Sequence, residues 1–162
     1  MAKKEEKTNV MRVLEQKQIP YAAHTYPADG PTDGVSVANY LHQDVEQVFK
    51  TLVTKAASGT YYVFDIPVAE NLDLKKAAKA VGEKSIAMIP QKELLPLTGY
   101  VHGGCSPVGM KKQFHTVFHE TVILFDTICV SAGKIGTQVE LKPDHLIALL
   151  EADVVDVVVE ER

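Results

Sequence analysis

The residues best suited by type and spacing to do chemistry are Gly103-Gly-Cys-Ser-Pro-Val-Gly109, where three glycines in seven positions forbid regular structure. Positions without a side chain let main-chain N–H groups approach a ligand and point together into an anion nest, so this loop could hold an oxyanion or a phosphate. It lacks the spacing of a nucleotide P-loop, and no Gly-x-Gly-x-x-Gly occurs anywhere in the chain, so ATP or dinucleotide binding in those modes has no support. A tight connection between strands would use the same glycines. Cys105 and Ser106 lie inside the loop and invite a nucleophile reading. That reading needs a base held in place by a third group, and the sequence shows neither such a set nor a Gly-x-Ser-x-Gly elbow. Lys50 is a further candidate. Between Phe49 and Thr51-Leu-Val53 it falls where a helix is expected to hand over to a strand, and a lysine held at an element boundary can orient a phosphate or a carbonyl.

Six histidines raise the question of a metal. His115 and His119 are four apart but in a strand-like segment, and His119-Glu120 is not followed by the second histidine of a zinc protease motif. Without clustered cysteine or acidic ligands, no metal and no cofactor is expected.

The elements that must position these residues follow from hydrophobic period and turn chemistry. Thr8 or Asn9 can cap a helix carrying Val10, Val13 and Leu14, ended by Ile19-Pro20. Residues 21–26 read as a short strand, and Ser36 as the cap of a short helix through Leu41. Asp44 and Gln47 have capping-box spacing, which predicts a second short helix carrying Val45, Val48 and Phe49. Residues 51–56 and 61–68 are rich in β-formers around Ala57-Ser-Gly-Thr60 and predict a hairpin. Asp73 caps the clearest helix, with Leu74, Ala77, Ala78 and Val81 on one face and Gly82 as its stop. Strands are expected over 85–89, 114–119, 121–131, 137–141 and 154–159, a helical turn from Pro90 to Leu95, and a helix after Pro143. Helices and strands without strict βαβ alternation predict an α+β fold: one mixed, largely antiparallel sheet, curled and barrel-like, with packed helices.

The chain has 162 residues, 46% of them hydrophobic and 23% charged, which fits a single domain over 1–162 with a real core. No apolar run is long enough for a membrane span. The charged opening, Met-Ala-Lys-Lys-Glu-Glu-Lys, is unlike a secretory signal, and two cysteines make no disulfide framework, so a cytoplasmic location is expected. The net charge of -4 argues against nucleic-acid binding through the overall field. Yet residues 74–112 hold seven lysines against two glutamates, while 144–162 hold six acids against one base. Both arginines, Arg12 and Arg162, lie near the ends, so an anion near the middle of the chain meets lysines or backbone amides rather than a guanidinium fork.

Several stretches together resemble the YbaK-type Cys-tRNA(Pro) deacylases, free-standing relatives of the editing domain inserted in bacterial prolyl-tRNA synthetases. They are Lys7-Thr-Asn-Val-Met-Arg12, Ile19-Pro-Tyr21, Val48-Phe-Lys-Thr-Leu-Val53, the segment 72–82, Leu97-Thr-Gly-Tyr100, the segment 103–112 and Val130-Ser-Ala-Gly-Lys134. The resemblance implies a trans-editing enzyme that removes cysteine from tRNA(Pro), an error that arises because a pocket separates near-isosteric amino acids poorly. It implies substrate-assisted chemistry, in which the thiol of the attached cysteine attacks its own carbonyl. Lys50 and Gly104 would be the catalytic residues. Tyr21, Thr51, Gly103, Ser106, Gly109, Ser131 and Gln138 would contact the substrate, and Lys111 and Lys112 the tRNA backbone. The partners implied are mischarged tRNA(Pro) and prolyl-tRNA synthetase, with neither membrane nor metal. Two positions depart from the family pattern: Gln138 stands where some relatives carry an acid, and Ile135 where arginine is common. Rival readings are a deacylase for another small amino acid such as alanine, and a non-catalytic module that binds tRNA or the synthetase.

Overall fold

In the computed structural model, residues 7–160 are described; the charged opening 1–6 and Arg162 lie outside them. The expected hairpin is the structural centre. Strand β2 (Phe49–Ala56) pairs antiparallel with β3 (Tyr61–Pro67), with Lys50 opposite Ile66 and Thr51 opposite Asp65. Side chains alternate across these strands. Phe49, Val53 and Val63 enter one core cluster, and Leu52, Phe64 and Ile66 pack with another, so this sheet is covered on both faces.

Three further strands extend it. Strand β4 (Ile86–Met88) adds antiparallel to β2, β5 (His115–His119) parallel to β3, and β8 (Asp153–Val155) parallel to β5, giving the order β4-β2-β3-β5-β8. A second sheet joins β1 (Ala22–Thr25), β7 (Thr137–Leu141) and β6 (Ile128–Ser131), all antiparallel. The fold is thus mixed α+β, but the expected single barrel-like sheet is not closed. The strands divide into two sheets that meet at one parallel bridge, Val48 to Cys129.

Helix α1 (Asn9–Gln16), capped by the Thr8 hydroxyl, and α5 (Pro143–Leu150) supply Val10, Leu14 and Leu146 to the first core, with Phe118, Ile128 and Val139 from the sheets. Helix α3 (Leu74–Val81) closes the second core through Ala77 and Ala78. Its start is fixed by Asp73, whose Oδ1 accepts from the amides of Lys75 and Lys76 at 3.0 and 3.1 Å, and its end by Gly82 in the left-handed region at φ 72°. Asp73→Ala is expected to cost about 1 kcal/mol, readable as a shifted urea midpoint at unchanged m-value. None of the described helices is long and apolar enough to cross a membrane.

Five local expectations are corrected. Helix α2 (Gly34–Tyr40) is capped by Asp33, which accepts from the amide and hydroxyl of Ser36, so the cap lies three residues before the serine expected to provide it. Residues 44–47 make a turn instead of a helix. The Gln47 side chain donates to the Thr127 carbonyl at 2.8 Å rather than closing a capping box, and Val48 is drawn into the bridge to Cys129. The strand expected over 121–131 is a short 3-10 turn, Glu120–Leu124, followed by β6; Ile123 and Leu124 are exposed there and pair with no strand. The closing strand ends at Val155, and Val158 makes only an isolated bridge to Leu72. Helix α4 (Leu94–Thr98) runs through Pro96 before Gly99 stops it.

Candidate active site

A cavity of about 360 Å³ opens where the two sheets meet. Its walls are Val48 and the start of β2 (Phe49 to Leu52), the start of α2, Val68, the loop residues His102, Gly103 and Cys105, and Ser131 and Gln138 from the smaller sheet. Five of the expected site residues line it together: Lys50, Thr51, Gly103, Ser131 and Gln138.

Lys50 is the second residue of β2, so the boundary that fixes it is a turn-to-strand junction. Its Nζ donates to the Val68 carbonyl at 3.2 Å. Burial lowers its pKa from the ordinary lysine value, partly offset by the charge of Glu70. A cation that has shed part of its hydration interacts more strongly with an incoming anion than one in open water. Thr51 shares a 2.6 Å hydrogen bond with Asp65, its cross-strand partner. Asp65 is completely buried on the face of β3 that carries Val63, and burial pushes its carboxyl up to about 8 against the opposing effect of the Thr51 hydrogen bond. Gln138 is buried and its Oε1 accepts from Gln43 Nε2 at 2.8 Å; Ser131 Oγ accepts from the Gly133 amide at 3.2 Å.

The glycine loop divides into a wall and a support. Gly103, at φ 87°, and Cys105 line the cavity, and among the described residues their amides have no hydrogen-bond partner. The Gly104 amide instead donates to Val101 O at 3.0 Å. A Cβ at Gly104 would come within 3.0 to 3.1 Å of the main chain of Lys134 and Ile135, so this glycine serves close packing between two loops. Its amide donates within this turn, unlike those of Gly103 and Cys105. Ser106 is fully buried, accepts from the Val108 amide and does not line the cavity. Gly109 is likewise outside the lining; a Cβ there would sit 2.9 Å from Asn9 Nδ2 and from the Tyr100 hydroxyl. Tyr21 donates to Glu15 Oε2 at 3.0 Å beside α1, whereas Tyr26, at the other end of β1, reaches the cavity. Lys111 and Lys112 are exposed outside it, Lys111 Nζ lying 3.4 Å from the Pro96 carbonyl.

Cys105 is the one thiol in the cavity wall among the described residues. Burial, reinforced by the nearby Asp65 carboxyl, pushes it up to about 12, so at neutral pH it is a thiol and a poor nucleophile. Among the described residues one trio, His24, Cys129 and Glu140, brings potential metal-ligand atoms within 4.8 Å of one another. These groups already serve each other: His24 Nε2 meets Glu140 Oε1 at 2.7 Å, and the second Glu140 oxygen accepts from the Thr127 hydroxyl. Sequence spacing missed this trio because its members come from three separate strands. Tyr26, Asp33, Gly34, His102 and Asp65 were also missed. Asp65 left a signal, a lone acid in the apolar run Tyr61-Tyr-Val-Phe-Asp-Ile-Pro67.

Residues 32–149 match the family model of the aminoacyl-tRNA editing domain. The chain is 42% identical, over 99% of its length and all of the relative's, to an Enterococcus faecalis protein provisionally named Cys-tRNA(Pro)/Cys-tRNA(Cys) deacylase EbsC. Its fold is similar to the crystal structure of a provisionally assigned trans-editing enzyme for prolyl-tRNA synthetase, with a TM-score of 0.82 and 25% identity over 93% of this chain and 95% of that one. It is also similar in fold to a hypothetical protein, with a TM-score of 0.84 and 22% identity over 93% and 99% of the two chains.

Proposed function

The chain belongs to the aminoacyl-tRNA editing domain family, and on that premise we propose that its deacylase activity clears cysteine wrongly attached to tRNA(Pro). The observation that carries this reading is a cavity whose wall offers a half-buried ammonium, Lys50, and a thiol, Cys105, held in its unreactive form. A site that positions without attacking suits a substrate that brings its own nucleophile. The substrate thiol attacks the carbonyl carbon of its own ester, forming the C–S bond of a thiolactone. The C–O bond to the ribose breaks, and the thiol proton ends on the released ribose hydroxyl. Lys50 orients the aminoacyl end or the terminal adenosine, and the amides of Gly103 and Cys105 stabilise the developing oxyanion. Lys111 and Lys112 meet backbone phosphates outside the cavity. A domain of this charge holds tRNA weakly, so association with prolyl-tRNA synthetase would raise the effective concentration of tRNA(Pro).

The test is a deacylation panel of Cys-tRNA(Pro), Cys-tRNA(Cys) and Ala-tRNA(Pro), with and without the synthetase. Self-attack requires the thiol, so both cysteinyl esters should be cleaved and the alanyl ester at least about 100-fold more slowly. Addition of the synthetase should favour tRNA(Pro). Efficient cleavage of the alanyl ester would favour a deacylase for another small amino acid, and tRNA binding without turnover would leave a non-catalytic module.

A further inference from the structure

The buried acid behind the cavity wall has a definite part in this site. Asp65 is 0% exposed, its Oδ1 is 2.6 Å from Thr51 Oγ1, and its Oδ2 has no hydrogen-bond partner among the described residues. It faces Thr51 on β2 and Phe118 on β5, and Cys105 approaches from the glycine loop. Lys50, next to Thr51 on β2, directs its Nζ to the Val68 carbonyl instead. A carboxylate here would be a buried charge without a counter-ion, so the neutral acid is the stable form. Its proton has two possible sites. Only Oδ1 has a hydrogen-bond partner among the described residues, and a proton on it donates to Thr51 Oγ1. A threonine whose oxygen accepts that bond keeps its own O–H free, and Thr51 lines the cavity next to Lys50.

We propose that Asp65 is a positioning residue whose carboxylic acid donates to Thr51 Oγ1 and so turns the Thr51 O–H into the cavity, as a donor to an oxygen of the aminoacyl ester or its ribose. This rests on the reading of the cavity as the seat of an aminoacyl-tRNA end. Ionisation of Asp65 would reverse the bond, because a carboxylate must accept from Thr51 and withdraws the donor from the cavity. With the carboxyl raised to about 8, that reversal falls within a measurable pH range. The Cys105 thiol, raised to about 12, stays protonated throughout.

Asp65→Asn separates the alternatives. The carboxamide does not titrate, and its N–H placed at the Oδ1 position donates to Thr51 Oγ1, so it imitates the neutral acid at every pH. Single-turnover deacylation of Cys-tRNA(Pro) by wild type and D65N from pH 6 to 9 gives a rate ratio in which titration of Lys50 and of the substrate thiol cancels. The expected wild-type to D65N ratio stays within about threefold of unity at pH 6.5 and falls about tenfold by pH 9, as wild type loses its acid proton. In a Thr51→Val background the same substitution should leave the ratio flat. Melting temperatures give a second readout. A folded-state pKa raised above the ordinary aspartate range means that the native state binds more protons than the unfolded chain, so wild type loses stability as pH rises toward about 8 while D65N does not. The gap in Tm should widen from pH 5 to 8. A wild-type to D65N rate ratio that is constant with pH, or D65N nearly inactive at pH 6.5, would overturn the proposal. A wild type inactive at every pH would instead overturn the functional reading, and the Tm gap would still report the proton on Asp65.

Discussion

Lys50→Ala is expected to lower deacylation of Cys-tRNA(Pro) by about 100-fold or more, the usual loss when one preorganised donor to a reacting oxygen is removed. Folding should hardly notice. The side chain makes one hydrogen bond, to the Val68 carbonyl, and burial already disfavours its charge, so the variant should melt within a few degrees of wild type. The loss should appear in kcat as well as in KM, because a group that orients the ester acts on the transition state and not only on binding. Lys50→Met keeps most of the stem and removes the charge, so activity near wild type in that variant would reduce Lys50 to a packing role. Lys50→Arg tests geometry: a planar fork does not replace a compact ammonium at a half-buried position.

The sequence made Lys50 legible through its neighbours, but for a partly mistaken reason. A helix was expected before it, and a turn stands there, because the Gln47 side chain is used in binding the Thr127 carbonyl across the sheet junction. Capping-box spacing is local, and that competing contact is 80 residues away in sequence. Elements whose signals were wholly local came out as read. The Asp73 cap, the 3.6-residue stripe and the Gly82 stop gave α3, and the β-forming runs around Ala57-Ser-Gly-Thr60 gave the β2–β3 hairpin. Elements defined by a partner did not. Thr121 to Leu124 has the composition of a strand but pairs with none, and the division into two sheets depends on which strands meet. The site shows the same limit. The glycine loop was visible as a motif, but only the structure separates Gly103 and Cys105, which line the cavity, from Gly104, whose amide closes a turn. Asp65 was visible only as an anomaly, since its meaning comes from Thr51 on the neighbouring strand.

Gly34→Ala is the substitution expected to damage both stability and activity without touching a polar group of the cavity. Gly34 is the first residue of α2, where alanine would ordinarily help by up to about 1 kcal/mol. Sterics oppose that gain. A Cβ at Gly34 would lie 2.4 Å from Val68 Cγ1 and 2.6 Å from Val68 Cβ, distances that real contacts do not reach, so one element must move. Val68 has little room: it is 7% exposed, packs with Ala38, Val48 and Cys129, and donates its amide to Val48 O. Overpacking of this kind costs about 1–3 kcal/mol, so the net effect should be destabilising, with Tm lower by several degrees at roughly 2–4 °C per kcal/mol for a chain of this size. The functional loss follows from the same displacement. The Val68 carbonyl anchors Lys50 Nζ, and moving it moves the ammonium relative to the glycine loop; a misplacement of about 1 Å can cost about 100-fold in rate. A double-mutant cycle with Val68→Ala isolates the contact. The smaller side chain has more freedom to give way, so the losses in stability and rate should be clearly less than additive. Additive losses, or an alanine at 34 that stabilises the chain, would show that α2 shifts freely and that Val68 does not transmit the strain to Lys50.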